Sequence, residues 1–359
     1  MDALTTVRRR LFTQRLAGRP FDTSAEAVRW LGAVQAQEFA EAQWSLAQRS
    51  LDRTVTDVDA AFDRGDILRT HVLRPTWHFV HQTDIRWLLR LTRPRVHALN
   101  RYWYAKFGLD GPTLARGHDV LADALEPGRP LTRRELAGRL QLAGVEADGL
   151  RLGYLLMHAE LEELVCSGPR RGRQQTYLLL DLRAPAAEAD NLPRERALAE
   201  VVLRYFRSHG PATVRDFAAW SSLTVADTRA GLDSEGPQLD STQDESGTTW
   251  YSAHPESPRP PSTGALLVPM YDETIVAYQD LRVVLAHRDP APGQIDRAVV
   301  IDGRTVGSWR RTLGRRSVLV DATLFGPLST RQSTALDAAV ERFGRFLGLP
   351  AALRTSTVG

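Results

Sequence analysis

Two glutamines separated by one alanine, Gln35-Ala36-Gln37, combine a residue type and a spacing that could do chemistry. A side-chain amide donates and accepts hydrogen bonds at once, so two of them can fix a water molecule or grip the edge of a nucleotide, but neither can carry a full proton. The pattern therefore predicts a positioning device and not an acid–base pair. The same pattern beside a helix end is also typical of solvated surface, and spacing alone does not separate these alternatives.

The segment before Gln35 predicts a helix, and this helix must end before Gln35 if the two glutamines are to share a face. Thr23-Ser24 supplies a capping residue, and apolar residues recur at helical spacing as far as Val34. On a continuing helix, residues two apart point in different directions, whereas in an extended segment Gln35 and Gln37 share a face and Ala36 turns inward. We therefore expect the helix to run to about Val34 and to end directly before the pair.

Composition excludes several function classes. The 359 residues (40.0 kDa) are enough for two or three compact units, and 46 basic against 43 acidic residues leave a net charge of only +3, so basic character must be local to matter. The sole cysteine, Cys166, excludes a disulfide framework and a cysteine-rich metal site. There is no leader-like apolar segment at Met1–Pro20 and no run of about 18 apolar residues, which predicts a soluble cytoplasmic protein without membrane contact.

Lys106 is the only lysine in the chain. Catalysis through an imine would therefore have to use Lys106 or the terminal amine. No Walker loop, Rossmann fingerprint or Ser-His-Asp arrangement is present, and we expect no cofactor.

The first 125 residues predict helices followed by a β-hairpin. Helical spacing indicates an opening helix ended by Gly18 and Pro20, and further helices over Glu26–Val34, Glu41–Ser50 and Val55–Phe62. The hairpin spans 67–80 and is followed by a helix over 85–96 that could extend to residue 104. Its alternation places these residues on one face: Val72, Arg74, Thr76, His78 and Val80. Helices followed by a hairpin have the order of a winged helix, which we assign to residues 1–125.

The next two units repeat this order. In residues 126–190, a capping box at Thr132 and Glu135 begins a helix, 148–164 forms another, and a basic turn at 170–175 separates two short apolar strands. Residues 191–260 predict three helices and a strand at Trp250-Tyr251, with a proline-rich linker at 255–262. Residues 261–359 change to strands closed by a helix over Thr330–Phe346, which we interpret as a small β-barrel. The predicted class is α+β: three tandem winged-helix motifs followed by a C-terminal barrel.

Arginines cluster on or near the predicted turns, and this favours nucleic acid as the partner. Arg69 and Arg74 lie in the first hairpin, and Arg170, Arg171 and Arg173 lie on the second wing. The C-terminal turns carry a further set: Arg304, Arg310, Arg311, Arg315 and Arg316. A single basic turn is usually a solvated loop, but several of them on tandem DNA-binding-like modules indicate a binding surface.

Other candidate groups carry weaker predictions. His71, His78 and His81 could suggest a metal site, but His71 and His78 fall on opposite faces of the hairpin, so we expect no metal. Asp272-Glu273 is a paired carboxylate for which a turn cap at the edge of the barrel is the favoured interpretation.

Five stretches together resemble the AlkZ/YcaQ family of bacterial DNA glycosylases. They are Val34–Gln37, Leu73–Val80, Gln174–Tyr177, Pro269–Glu273 and Val306–Arg311. The resemblance implies three tandem winged-helix motifs and a β-barrel, arranged as a C around duplex DNA, and excision of N7-alkylated purines.

The resemblance also implies roles for individual residues. Gln35 and Gln37 match the Gln-x-Gln motif of the AlkZ-like branch, some of whose members unhook interstrand crosslinks, and would be the catalytic pair; the YcaQ branch has aspartate at the second position. His78 and Gln174 lie within matching stretches and join the arginines as expected DNA contacts.

The chemistry of such a substrate suits two amides. An N7-alkylguanine is cationic, so its glycosidic bond is already weak and the base leaves neutral without receiving a proton. What remains is to stabilise a sugar with oxocarbenium character and to hold a water near C1′, tasks for oriented dipoles. Without an aspartate at position 37, we expect poor removal of unactivated bases.

Two hypotheses from different classes follow. The first is a monofunctional glycosylase for N7-alkylpurines, including bulky or crosslinked adducts made by DNA-alkylating natural products. The alternative is a non-enzymatic winged-helix regulator. A regulator usually reads paired half-sites as a symmetric dimer, and the sequence shows no heptad pattern, which favours a monomeric enzyme.

Overall fold

The structure is a computed structural model that describes residues 3–51, 54–235, 238–253, 264–280 and 296–357. These residues form a mixed α+β fold, the predicted class. The predicted linker at 255–262 lies outside the described residues. Within the described ranges, no helix is both long and apolar enough to cross a membrane.

Four helices open the chain near the predicted places, although the first ends at Thr13 and not at the predicted stop at Gly18. Thr23 caps the second by accepting a hydrogen bond from the Glu26 amide, Thr54 and Asp57 form a capping box on the fourth, and Gly65 ends that helix with a φ of 95°. The helices are α1 (Ala3–Thr13), α2 (Ser24–Leu31), α3 (Phe39–Ala47) and α4 (Val55–Arg64).

The first sheet is small and antiparallel, and its strand order is β1-β3-β2. Its strands are β1 (Val34–Gln35), β2 (Ile67–His71) and β3 (Trp77–His81). The predicted alternation fails at the hairpin tip, where residues 72–76 form a loop and Leu73 has a φ of 63°. Val72 and Leu73 are fully buried, so burial of their side chains turns the tip back into the protein.

The helix predicted at 85–96 extends to Lys106, as the sequence suggested, and forms α5 (Ile85–Lys106). The next helix, α6 (Gly111–Leu125), is not predicted by our sequence analysis. Its signals are local, because Asp110 accepts a hydrogen bond from the Thr113 amide and a proline occupies the first turn.

The second group of elements has the predicted order of two helices and a hairpin. The Thr132–Glu135 capping box is present, and Gly172 forms the hairpin tip with a φ of 63°. The strands pair in the order β4-β6-β5. The elements are β4 (Leu131–Thr132), α7 (Arg133–Leu142), α8 (Gly149–Leu161), β5 (Val165–Arg171), β6 (Gln174–Leu179) and the short α9 (Leu180–Arg183).

The third group also confirms the predicted helices. Trp250 and Tyr251 lie on a strand, as expected, which pairs with Leu239–Gln243, and Tyr251 also forms an antiparallel bridge with Ala212. The elements are α10 (Arg194–His209), α11 (Val214–Ser221), α12 (Val225–Glu235), β7 (Leu239–Gln243) and β8 (Thr249–Ala253).

The predicted C-terminal barrel is not found in the part of the chain that the structure describes. Five strands form one open sheet in the order β13-β12-β11-β10-β9, so β9 and β13 are edges. The terminal helix covers the apolar face with Leu336, Phe343 and Phe346, and a sheet covered in this way does not need to close on itself. The elements are β9 (Ala265–Val268), α13 (Glu273–Val276), β10 (Ala298–Ile301), β11 (Arg304–Leu313), β12 (Val318–Leu324), α14 (Thr330–Leu347) and the unpredicted β13 (Ala351–Thr357).

Trp44 of α3 joins the first helices to this C-terminal sheet. Its indole Nε1 donates to the Leu267 carbonyl at 2.7 Å, and its ring packs edge-on against Phe343 with 5.0 Å between centroids. The two ends of the chain therefore share one hydrophobic core.

Candidate active site

The Gln35–Gln37 segment leaves α2 in the extended conformation that its spacing predicts. α2 ends at Leu31, three residues earlier than expected, because Gly32 takes a φ of 82°. Gln35 then pairs with His78 across the β1–β3 ladder. Ala36 is fully buried, whereas Gln35 is 8% exposed and Gln37 is half-buried. The alanine anchors the segment and leaves the glutamines nearer the surface.

Arg74 fixes the side-chain amide of Gln35. Its Nη2 donates to Gln35 Oε1 at 2.8 Å, and its Nη1 donates to the Trp220 carbonyl at 2.7 Å. A guanidinium has no acceptor, so the carbonyl end of Gln35 must face Arg74 and its NH₂ end points elsewhere. Arg74 is half-buried, and burial lowers the pKa of its guanidinium.

His78 completes this group as a neutral ring. Arg74 Nη2 donates to His78 Nε2 at 3.2 Å, which leaves Nδ1 to carry the proton and donate to the Thr76 carbonyl at 2.9 Å. Burial, and then the charge of Arg74, hold the pKa of His78 well below its ordinary value. His78 therefore acts here as a hydrogen-bond acceptor for Arg74 and not as a cation.

Arg69 supports the Gln37 end of the segment. It is 8% exposed, its Nε donates to the Ala36 carbonyl at 3.0 Å, and its guanidinium lies 4.2 Å from the centroid of the Trp77 ring. Burial lowers the pKa of Arg69 to about 10, so it is still charged at neutral pH. Among the described residues, Gln37 Oε1 accepts one long hydrogen bond, 3.4 Å from the Trp77 amide.

Glu273 belongs to this site although its sequence context favoured a turn cap. It is fully buried, and its Oε1 accepts from the Gln35 amide at 2.9 Å while its Oε2 accepts from Trp220 Nε1 at 3.0 Å. His209 Nε2 lies 3.4 Å from the same Oε2. The turn-cap interpretation is confirmed for its neighbour Asp272, which caps α13. The only available signal for Glu273 was its place in the Pro269–Glu273 stretch of the family resemblance.

Asp272 holds Glu273 in place through a buried ion pair. Both Asp272 carboxylate oxygens accept from Arg49 at 2.8 Å, and both side chains are fully buried. Burial favours the neutral acid, but the attraction and hydrogen bonds of Arg49 prevail and lower the pKa of Asp272. Removing either partner would leave an uncompensated buried charge, a change that typically costs about 3–5 kcal/mol.

Two of the predicted basic residues lie beside α3, whose first residue follows Gln37 by two positions. Arg170 of β5 pairs with Asp59, and its guanidinium lies 4.3 Å from the Phe39 ring centroid. Arg311 of β11 pairs with Glu41 at 2.9 Å. Both arginines therefore contact α3, one from the second hairpin and one from the C-terminal sheet, although each already has an acidic partner.

The other predicted DNA contacts lie further out. Arg171 donates to Glu135 Oε1 at 2.8 Å, and the Thr132 amide together with Arg171 lowers the pKa of Glu135 to about 2. Arg173 and Gln174 are exposed at the β5–β6 tip, where Arg173 makes no ion pair with any described residue. Three more predicted contacts are exposed on the C-terminal sheet: Arg310, Arg315 and Arg316.

The sequence model of the family described as DNA glycosylase AlkZ-like matches residues 28–346, which is most of the chain. The chain belongs to the AlkZ-like DNA glycosylase family. It is 27% identical over 326 residues to a Streptomyces sahachiroi protein named Interstrand DNA cross-link repair glycosylase, covering 84% of this chain and 85% of that protein. It is also similar to the solved structure of Streptomyces sahachiroi DNA glycosylase AlkZ. That match has a TM-score of 0.79 and 23% identity over 99% of this chain and 100% of the other, and it shows a shared fold.

Membership of the AlkZ-like family confirms the resemblance drawn from the five stretches and decides between the two function hypotheses. The protein is an enzyme of the DNA glycosylase class, not a non-enzymatic regulator. In this AlkZ-like protein, the two glutamines are the polar side chains that a buried network of Arg69, Arg74 and Glu273 holds in one extended segment.

Proposed function

We propose that the protein is a monofunctional glycosylase that hydrolyses the N-glycosidic bond of N7-alkylated purines in duplex DNA, including bulky adducts and interstrand crosslinks. The observation that carries this proposal is that the charged side chains packed around the two glutamines already have hydrogen-bond partners. The charged side chains that hold this segment, Arg69, Arg74 and Glu273, already bond to Gln35 or Ala36, so the two neutral amides remain to meet the substrate, with the exposed carboxylate of Glu38 beside Gln37.

Neutral amides suit a substrate that needs no proton. The positive charge on an N7-alkylpurine makes the base a good leaving group, and the transition state then requires stabilisation of a cationic sugar and a positioned water. Because the neutral His78 has a depressed pKa and Glu273 is fully buried, neither is suited to protonate a departing neutral base. This arrangement favours labile lesions over undamaged bases.

The hydrogen bonds suggest that the two glutamines have different tasks. Gln35 has its carbonyl oxygen turned to Arg74, so its NH₂ group is available to hold the DNA backbone or the sugar. The one contact of Gln37 Oε1 with the part of the chain that the structure describes is the long one from the Trp77 amide, so this oxygen can accept a hydrogen bond from water and leave the water oxygen facing C1′. We therefore assign water positioning to Gln37 and DNA positioning to Gln35.

The binding surface is proposed on the same basis. Residues 1–125, 126–190 and 191–260 are interpreted as three winged-helix units that form a C around the duplex with the C-terminal unit 261–359. The exposed Arg173, Gln174, Arg310, Arg315 and Arg316 would contact phosphates. Arg69, Arg74 and His78 lie within the protein, so we assign them the positioning of Gln35 and Gln37; Arg170, Arg171 and Arg311 are secondary contacts because each has an acidic partner.

A panel of duplexes under single-turnover conditions tests the proposal. We expect release of N7-methylguanine and unhooking of an N7-linked crosslink, with no release of neutral uracil or hypoxanthine from matched duplexes. The related S. sahachiroi protein named for interstrand crosslink repair is the reason to include the crosslink. Equal release of neutral and cationic bases would contradict the proposed mechanism, and absence of any release would contradict the substrate class. Gel filtration with and without DNA tests the expected monomer.

A further inference from the structure

Three helices bring a cluster of imidazoles and one carboxylate together away from the strand that carries the glutamines. His97 lies on α5, His118 on α6 and His158 in the last turn of α8, and Glu162 is the residue that caps the end of α8. One ring nitrogen of His97, one of His158 and one carboxylate oxygen of Glu162 all lie within 4.8 Å of one another. Both His158 and Glu162 contact His97 of α5.

We propose that His97, His158 and Glu162 bind one divalent transition-metal ion, for which Zn²⁺ is the best chemical match. Two imidazoles and one carboxylate are a ligand set that zinc takes in proteins, and it leaves a fourth position for water. Bonds of about 2.0–2.2 Å require ligands closer together than the longest of these separations, so binding would draw the side chains inward. The ion would fasten α5 to α8.

The hydrogen bonds around the cluster orient both rings as metal-binding histidines require. Such a ligand usually donates the N–H of its second nitrogen to a neighbouring group, which fixes the ring and its tautomer. His97 Nδ1 lies 3.0 Å from Tyr104 Oη, and His158 Nδ1 lies 3.1 Å from His118 Nε2. When Nδ1 of each ring donates in this way, its Nε2 can present a lone pair to a metal. In the metal-free protein His97 Nε2 instead donates to Glu162 Oε1 at 2.9 Å, so the ion would displace that proton and bind both atoms.

The positive charge of Arg93 should weaken metal binding, so a variant that removes this charge should bind the metal more tightly. Its Nη1 lies 3.4 Å from Glu162 Oε2, the oxygen that does not face His97. A fixed positive charge beside the carboxylate lowers its attraction for a cation without blocking Oε1. Removal of this charge should therefore tighten metal binding, whereas removal of a ligand should weaken it.

The test uses the full chain after treatment with a chelator. We expect titration with Co²⁺ to give the intense visible absorption of a tetrahedral site at one ion per chain, and Zn²⁺ to displace it and raise the melting temperature. His97→Gln and His158→Gln should abolish the absorption, and Tyr104→Phe should weaken binding by roughly 10- to 100-fold. Arg93→Gln should bind more tightly than the wild type.

His81→Gln is the matched control, because His81 lies on β3 outside the cluster and should leave the titration unchanged. Melting temperatures measured without metal identify any variant that has lost its fold, and Arg93→Gln remains informative in that case because it gains affinity. A wild-type protein without a tetrahedral Co²⁺ signal, or binding that persists in both histidine variants, would overturn the proposal. The result is independent of base excision, which depends on a different set of residues.

Discussion

The two hairpins of this glycosylase both carry arginine at their tips but use it differently. In the β2–β3 hairpin, Arg74 points into the protein and bonds Gln35 and Trp220. In the β5–β6 hairpin, Arg173 is exposed and has no ion pair with a described residue.

The difference comes from the residues beside each arginine. The first tip contains Val72 and Leu73, which are fully buried and draw the loop inward. The second tip contains Arg171 and Gly172 and has no apolar side chain to anchor it. An arginine on a turn therefore indicates a surface contact only when the turn has no apolar side chains whose burial would draw it into the protein.

The largest expected effect is on catalysis at the first hairpin. Gln37→Ala and Gln35→Ala should each lower the single-turnover excision rate by about 10²–10³ because each removes an oriented dipole. DNA affinity, measured by fluorescence anisotropy, should stay nearly unchanged. Gln174→Ala at the second hairpin is the control and should affect binding alone. Wild-type rates in both glutamine variants would refute a catalytic role for the pair.

The second effect separates the hairpins by stability. Arg74→Ala leaves Gln35 Oε1 and the Trp220 carbonyl without their charged donor, so the free energy of unfolding should fall by about 1.5–3 kcal/mol, and excision should slow. Arg173→Ala should change the free energy of unfolding by less than about 0.5 kcal/mol. Urea denaturation measures both. Equal losses in the two variants would remove the distinction between the tips.

The third effect is a pH dependence of the first hairpin that the second hairpin lacks, because residues 165–179 contain no histidine. His78 has a folded-state pKa well below the 6.5 of the unfolded chain, so the unfolded state takes up the proton first as pH falls. Its contribution to stability is complete above pH 6.5 and is lost below it, by at most about 1.4 kcal/mol per pH unit. His78→Gln should lose less stability than the wild type between pH 7.5 and 5.5. A parallel loss would show that His78 does not titrate this way.

The fourth effect is on salt dependence at the second hairpin. Arg173→Ala should weaken binding to all duplex sequences and reduce the log–log salt slope by about 0.9, the value for one phosphate contact. Replacing Arg170 and Arg171 as well should add less than this per residue, because both pair with carboxylates in the free protein. An unchanged slope in the triple variant would place this wing away from DNA.

The smallest effect tests whether water is the nucleophile. Lys106 lies at the end of α5 with its Nζ 4.9 Å from the Trp103 ring centroid, an ordinary cation–π contact. Lys106→Ala should leave excision unchanged, and borohydride added during turnover should trap no protein–DNA adduct. An adduct that disappears in Lys106→Ala would show that an imine forms and that Gln37 does not position the attacking group.

Local signals predicted most of the fold. Capping residues such as Thr23 and Thr132 located helix starts, and helical spacing located the residues of α4. The missed helix α6 and the early end of α2 have local signals, but the other errors have long-range causes. The prediction of a barrel was wrong because α14 covers the apolar face of the sheet. The sequence analysis missed β13 because this strand pairs in parallel with β12, and the whole of α14 separates the two strands in the sequence.

The sequence predicted only part of the candidate site, because the rest depends on contacts between residues that are far apart in the chain. The Gln35–Gln37 spacing predicted an extended segment, and the structure has one. Glu273 could not be linked to it by spacing, since 238 residues separate it from the amide it accepts from. The inward turn of Arg74 depended on Val72 and Leu73, whose burial the alternating pattern did not indicate.

The hydrogen bond between Glu273 and Gln35 also determines when the enzyme can first work. A ribosome that adds roughly 5–20 residues per second needs about 10–50 seconds to pass from the first of these residues to the second. During that interval β1 lacks its carboxylate anchor, and Trp44 lacks the sheet against which it packs. A nascent chain can therefore fold its first helices early, but it acquires a competent site only after Glu273 and the C-terminal sheet have been synthesised.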